Sequence, residues 1–526
     1  MNCPHCGKNL PAGSTTCTHC AKSLVQASVH AGKTSSVQEK ALLNTHTPSK
    51  QADRSMPEKH VGGRSHQAAL AEESRRPISA EEKLAEKKEA EKEEKENERL
   101  MIFSDGVIAF ALTIAAVSIK IPRDLAELNT TVFTIRVISY TLSFIFVYNL
   151  WKEHHSIFHH IKRNDGWLIT LNSLYLALVV LIPIGLNIMD VGLISLATHP
   201  ETVFSSGDSY SFLLFLGALF GASITLPLMW RHARTRRPRD LFGDIKPEKS
   251  FQIYTTWRLT ILPISLVFYI PAYMLLALNH WYLGVITVIG YTIVRWLFFF
   301  FYRRRLQESL DLSVGNEDIM RIQLFSDAII GIAITITAAQ IDPSFNFDDA
   351  DAATTVLNES WSLLGTYVFS FIIMGVYWLL HYHLFRFIKR YDSELLMYNF
   401  IFLLLIILMF IPARMYTSHM NSKEFSIIFS IWQFATAGML WIMWRHAARK
   451  SRKAHVPRLL KREMTLKKRK RFERIVRVNP LIFLVLALAA CFIQIPTTFY
   501  VIAYLAVLGG TWLISHWSTR HVTDLT

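Results

Sequence analysis

The chain has 526 residues, of which 51% are hydrophobic and only 18% charged, whereas charged residues make up about a quarter of an ordinary soluble domain. Its formal charge of +15, from 56 Lys and Arg against 41 Asp and Glu, is bunched at the amino-terminus and between long apolar stretches. This pattern excludes an ordinary soluble enzyme and the disordered, collagen-like and disulfide-rich classes, and indicates a large all-α polytopic membrane protein.

Residues 1–21 carry Cys3, Cys6, Cys17 and Cys20 as two Cys-x2-Cys pairs ten residues apart. Two such knuckles supply the four thiolates of a tetrahedral structural Zn²⁺ site, and a segment this short would not fold otherwise. Gly7 provides the left-handed turn, and His5 and His19 are alternative ligands. The competing reading, two disulfides in a secreted module, expects a signal peptide that is not seen ahead of Cys3, so a reducing compartment is expected. The module would dock a cytosolic protein partner or simply fold. Cys491, alone in an apolar run, reads as a small core residue.

Residues 22–78 are polar, with few large apolar side chains, and read as a disordered linker. A charged cytosolic helix is expected over 79–98. Ser79 and Glu82 form a capping box, Glu91 and Lys95 pair at i, i+4, and no a/d seam supports a coiled coil. A solvated helix without a partner is expected there.

From residue 99 the chain repeats itself. Arg99, Phe103, Ser104 and Asp105 recur as Arg321, Phe325, Ser326 and Asp327. Trp151, His154, Phe158, Asp165 and Asn172 recur, at one constant offset, as Trp378, His381, Phe385, Asp392 and Asn399. The run Met229 to Ala233 returns as Met443 to Ala447. Repeat 1 is assigned to 99–306 and repeat 2 to 318–520. Apolar segments near 101–121, 131–151, 167–188, 210–230, 257–278 and 281–302 in the first copy, and 323–341, 360–380, 394–412, 424–444, 479–496 and 498–516 in the second, predict twelve spans.

Basic loops, such as Lys162-Arg163, Arg303 to Arg305 and the stretch from Arg445 to Arg477, alternate with stretches free of Lys and Arg, such as Met189 to Ser209. The positive-inside rule then places both termini in the cytosol. Nucleic-acid binding through Lys467 to Arg471 is the competing reading, but topology and anionic lipid already account for the charge. An even number of spans per copy makes the repeats parallel, related by an axis along the membrane normal.

A carboxylate inside a span marks a functional site by default. Asp105 and Asp327, with Ser104 and Ser326, lie just inside the first span of each copy. Trp151, His154 and Asn172, and their counterparts Trp378, His381 and Asn399, fall at similar depth and can donate to the acid and hydroxyl. That network reads first as structural glue. Beyond it Gly106, Phe110, Thr113 and Val117 share a stripe, matched by Ala328, Ile332, Thr335 and Ala339. Facing a shared axis, Phe110 and Ile332 would form a dewetting constriction, with the Thr hydroxyls replacing part of a cation's hydration shell. An ordinary lipid-facing or core stripe is the alternative. His154, His155, His159 and His160 invite a metal reading, but Tyr382 and Arg386 stand where His155 and His159 would recur.

The Arg-x3-Phe-Ser-Asp entrance, the Trp-x2-His-x3-Phe ending of the second span and the Asn of the third resemble the transmembrane protein 175 family of potassium channels over about 98–520. The resemblance implies a K⁺-permeable cation channel of the two-repeat form, with the first spans lining the pore and the constriction five residues after the motif Asp, at Phe110 and Ile332. Family members commonly carry Ile or Leu there, and Phe110 departs from that. Two first spans cannot enclose a pore, so a homodimer with four is the natural closure. The expected setting is a lipid bilayer, the cytoplasmic membrane of a prokaryote. No nucleophile-and-base set, phosphate loop or paired catalytic acids argue for an enzyme. A secondary cation transporter, and a receptor or scaffold acting through the zinc module, are the rival classes.

Overall fold

A computed structural model describes residues 80–119, 121, 128–198, 206–235, 241–242, 252, 255–256, 259–260, 263, 318–339, 350–419, 422–450, 459–461, 466–496, 498–507 and 509. The four paired cysteines, the linker, most of the fifth and all of the sixth expected span of repeat 1, and the last part of the twelfth lie outside the described residues. Among the described residues the chain is α-helical apart from one isolated bridge between Ile388 and Leu460. Repeat 1 contributes α1 (Ala80–Ile114), α2 (Thr130–Phe158), α3 (Gly166–Thr198) and α4 (Ser206–Thr235). Repeat 2 contributes α5 (Asp318–Ala339), α6 (Ala350–Phe387), α7 (Ser393–Ile407), α8 (Phe410–Ser418), α9 (Lys423–Lys450), α10 (Leu466–Ala490) and the short α11 (Thr498–Val507). Among the described residues eight helices, with α7 and α8 taken as one, are long and apolar enough to cross a membrane, so the chain is a polytopic all-α membrane protein.

The charged helix and the first span form one continuous rod of 35 residues, about 52 Å long at 1.5 Å per residue. Its first half is almost all Ala, Glu and Lys, with no Gly or Pro before Gly106 to stop it. Most described side chains of this half are exposed, as expected of a solvated charged helix, and only its end touches the bundle. Buried Asn97 donates to the Ile161 carbonyl at 2.8 Å, and Glu93 pairs with Arg163 at 3.1 Å. At its far end α1 tightens into a 3-10 turn, Ala115–Ser118. Arg136 of α2 donates to the Ser118 carbonyl, and the Ser118 hydroxyl donates to Asn187 of α3.

The repetition in sequence has a repeated physical cause at the basic end of the bundle. Asp165 caps α3 by accepting from the Leu168 amide, and His232 of α4 grips the same carboxylate at 2.8 Å. Asp392, Leu395 and His446 do the same for α7 and α9, with the His contact at 2.9 Å. The Lys162 amide donates to the Leu241 carbonyl and the Lys389 amide to that of Leu459. Trp230 and Trp444 are buried beside these clasps, which accounts for the return of the Met-Trp-Arg-His-Ala run.

Two local features depart from the sequence pattern. The third span of repeat 2 is interrupted between α7 and α8. Pro412 has no amide to donate to the Leu408 carbonyl, which accepts from Ile411 instead and winds the chain into a tighter turn. Cys491 is exposed at the end of α10 and is not a core residue.

Helices α3 and α4 approach closely at Gly185, where an added Cβ would sit 2.9 Å from the Phe215 Cα. Gly185→Val is therefore expected to destabilise the solubilised protein by about 1–3 kcal/mol through overpacking, whereas Gly217→Ala, with open space around it, stays within about 1 kcal/mol of the parent. Thermal unfolding in detergent, followed by loss of the monodisperse peak, checks both.

Candidate functional site

The site lies just inside the first span of each repeat, where α1 meets α2 and α3, and α5 meets α6 and α7. The three-residue spacing of Trp151 and His154 sets both on one face of α2, toward α1. The Ser104 hydroxyl donates to the Leu100 carbonyl of its own helix at 2.7 Å and accepts from the Asn172 amide at 2.8 Å. With its amide so engaged, the Asn172 oxygen can only accept, so the proton it takes at 2.8 Å comes from His154 Nε2, and His154 Nδ1 is left as an acceptor. Trp151 Nε1 donates to Asp105 Oδ1 at 2.9 Å. Repeat 2 reproduces each of these bonds. Ser326 donates to the Ile322 carbonyl at 2.8 Å, Asn399 to Ser326 at 2.9 Å, His381 to Asn399 at 2.8 Å and Trp378 to Asp327 at 2.9 Å.

The two copies differ in one partner. Arg321, the motif arginine of repeat 2, reaches across to repeat 1 and grips Asp105 with two bonds, Nε to Oδ2 at 2.6 Å and Nη2 to Oδ1 at 2.9 Å. Its Nη2 also lies 3.4 Å from His154 Nδ1, the ring nitrogen that the Asn172 bond leaves free to accept. Both charges are buried, Asp105 at 4% and Arg321 at 8% exposure, which is sustainable only because a two-pronged guanidinium pair and an indole satisfy the carboxylate. Above the pair the Trp151 and Phe325 rings stack at 4.1 Å and 6°.

The spacing of the motif makes a cross-repeat partner obligatory. Arginine and aspartate six residues apart on a helix are about 240° apart around its axis, so neither can serve the other within one span. In repeat 2 the half-buried Asp327 holds Trp378 and, among the described residues, no cation. Arg99 and Phe103 of repeat 1 are exposed and, among the described residues, Arg99 makes no ion pair.

Helices α1 and α5 pack against each other, so the first spans of the two repeats are neighbours. Ile102 and Leu324 are exposed in both copies, and Phe110 and Val117 are exposed beside half-buried Ile332, so neither repeat covers this stripe. Thr113 leaves it. That residue is fully buried, its hydroxyl donating to the Ala109 and Phe110 carbonyls, whereas Thr335 is exposed and donates to the Ile332 carbonyl. The side chain of Ala339 lies outside the described residues. His155, weighed as a metal ligand, is bound at 2.8 Å to the Tyr391 hydroxyl of repeat 2.

Two stretches of the chain, residues 99–183 and 321–412, match the model of the family described as endosomal/lysosomal potassium channel TMEM175, and each begins at a motif arginine. A potassium channel of Streptomyces collinus is 26% identical over 133 residues, which is 24% of this chain and 64% of that one. A potassium channel of Chryseobacterium sp. is 30% identical over 109 residues, 21% and 56% of the two chains. A third, from Chamaesiphon minutus, is 27% identical over 143 residues, 26% and 66%. The chain thus spans between 56% and 66% of the length of these curated relatives.

Asp105→Asn keeps the shape of the site but leaves the Arg321 guanidinium buried without a counter-charge, at an expected cost of about 3–5 kcal/mol. Adding Arg321→Gln removes the stranded charge and should recover part of that loss. Thermal unfolding of the two variants in detergent measures the coupling, and losses that simply add would contradict it.

Proposed function

We propose that the chain forms a potassium-permeable channel, with α1 and α5 lining the conduit and Phe110 and Ile332 forming its hydrophobic constriction. The observation that carries this reading is that the two stretches matching a potassium-channel family both open with these helices, and that the two helices stand side by side. The relatives that the chain resembles are themselves named potassium channels, which supports a channel over an enzyme. An apolar ring narrow enough to expel water blocks ions without any moving plug, because a cation cannot shed its hydration shell against side chains that offer no oxygen. Wetting of that ring is then the opening step, and the exposed hydroxyl of Thr335 is the nearest group on the stripe able to accept a partly dehydrated K⁺. Thr113, buried inside the chain, is left out of the lining.

Two first helices do not surround a conduit, and a homodimer supplies four. The basic end, with Lys162, Arg163, Lys389 and Arg390, faces the cytosol in this reading, which places both termini there, in a prokaryotic cytoplasmic membrane like those of the bacterial relatives. Cys3, Cys6, Cys17 and Cys20 would hold one structural Zn²⁺ in that compartment, and the module would be the docking point for a cytosolic protein.

Phe110→Asn and Ile332→Asn each place an amide in the constriction and are expected to raise potassium flux from protein-loaded liposomes about tenfold or more. Unchanged flux in both variants, with the oligomer intact, would remove these two positions from the gate.

A further inference from the structure

At the basic end of repeat 2, apart from the Asp105 network, α9 ends and α10 begins around a cavity of about 350 Å³. Trp441, Arg445, Ala448 and Arg449 of α9 line it, with Glu473 and Arg477 of α10. The two walls are held together, for Trp444 and Phe472 pack edge to face at 4.7 Å and Arg469 of α10 donates to the Ala448 carbonyl at 2.8 Å. The Arg445 guanidinium lies over the Trp441 ring, 5.1 Å from its centre, so a cation–π contact already positions one cation. Arg445, Arg449 and Arg477 are exposed, and among the described residues no ion pair joins Glu473 to any of them. Three guanidinium groups against one carboxylate leave the cavity with two positive charges uncompensated.

The duplication separates this charge from the scaffold that the repeats share. Arg445 belongs to the Met-Trp-Arg-His-Ala run and has Arg231 as its counterpart. At the same offset Pro227 stands for Trp441 and Thr235 for Arg449, and the Thr235 hydroxyl is turned onto the Arg231 carbonyl at 2.9 Å. The His232 clasp forms in repeat 1 without the aromatic ring or the second arginine, so this part of the fold requires neither. On the membrane side of the cavity the same helix faces turn apolar. Phe434 lies two turns before Trp441, and Leu481 and Val485 lie one and two turns beyond Arg477, about 6 and 12 Å along the axis, and all three are exposed. Gly438, between Phe434 and Trp441, has open space where a side chain would stand.

We propose that this cavity holds the phosphodiester headgroup of an anionic lipid, with an acyl chain lying along Phe434, Leu481 and Val485. Guanidinium forks meet phosphate oxygens two bonds at a time, and an indole rests at the headgroup level of a bilayer. A basic pocket between membrane helices therefore offers such a lipid both counter-charge and hydrogen bonds. A soluble phosphate shares the headgroup chemistry but makes no use of the apolar faces that continue the cavity. A zwitterionic headgroup brings an ammonium group into a cavity that already carries excess positive charge. The site needs the membrane that the helices themselves require and does not need ion conduction, so it is independent of the channel reading.

The test is native mass spectrometry of the full chain in mild detergent, titrated with dioleoylphosphatidylglycerol, dioleoylphosphatidylcholine or inorganic phosphate. The parent is expected to take up phosphatidylglycerol about tenfold more tightly than phosphatidylcholine. Arg445→Gln should weaken that uptake about fivefold or more, and adding Arg449→Gln should weaken it further. Arg231→Gln, the same loss of charge at the corresponding place in repeat 1, should leave it within about twofold. Glu473→Gln removes the one negative group from the cavity and should tighten phosphatidylglycerol binding, a gain that a damaged fold does not mimic. Equal uptake of the two lipids, equal losses from Arg445→Gln and Arg231→Gln, or binding that Glu473→Gln leaves unchanged or weakens would each overturn the site. Displacement of phosphatidylglycerol by an equal concentration of inorganic phosphate would overturn the lipid as its occupant.

Discussion

A carboxylate sunk in a membrane helix must find its counter-charge and hydrogen bonds within protein, because the surrounding lipid offers neither. In this chain that constraint settles on Asp105 and Arg321, and the rest of the arrangement follows from it. The pair joins two repeats that are separated by more than two hundred residues along the chain, and it fixes α1 against α5 at one depth. Around it the donors come from α2 and α3, so a single acid organises the first three helices of repeat 1 and ties them to the first helix of repeat 2. Stacking of Tyr148 and Phe144 on Phe400 extends the same seam through the apolar interior.

The internal repeat joins its two copies through one such bond. Each copy carries both an acid and an arginine that cannot meet in their own helix, so the unit is unsatisfied by itself, and two copies satisfy only one of the two pairs. The rigid seam at the basic end and the apolar stripe beyond it then have separable tasks. Hydrogen bonds and the ion pair hold the first helices in place, and Phe110 and Ile332, about 7 Å farther along those helices, are left free of polar partners. In the proposed channel a gate at these positions that acts by wetting would require that separation, because polar groups at the constriction would hold water there permanently.

Much of this was legible in the sequence, for identifiable reasons. Spans of about twenty apolar residues announce themselves, and the first four of each repeat appear as helices. The Asn-Ser and Trp-Asp bonds could be anticipated because their donors and acceptors recur at one offset and equal depth, whereas the histidines, expected on the acid or hydroxyl, donate to Asn172 and Asn399 instead. The partner of Arg321 could not be found by aligning the copies, since alignment shows which residues are equivalent and not which repeat each one faces. The six-residue gap was the available signal. Thr113 shows the same limit, because helical periodicity places it on the stripe with Phe110, and only the packing of neighbouring helices decides that it is buried while Thr335 stays open. The break between α7 and α8 was marked by Pro412, and the contact between the end of the charged segment and Ile161 hung on Asn97, a single polar residue among charged ones that carried no periodic signal.

The central claim is that the buried Asp105–Arg321 pair fixes the first helices of the two repeats side by side, where they line the proposed conduit. An experimental density map of the full chain in lipid nanodiscs tests it most directly. The account predicts a two-fold particle with α1 and α5 of both chains innermost and each Arg321 guanidinium within hydrogen-bonding distance of Asp105 in the same chain. A particle in which α1 and α5 face lipid, or in which Arg321 points away from Asp105, would contradict it.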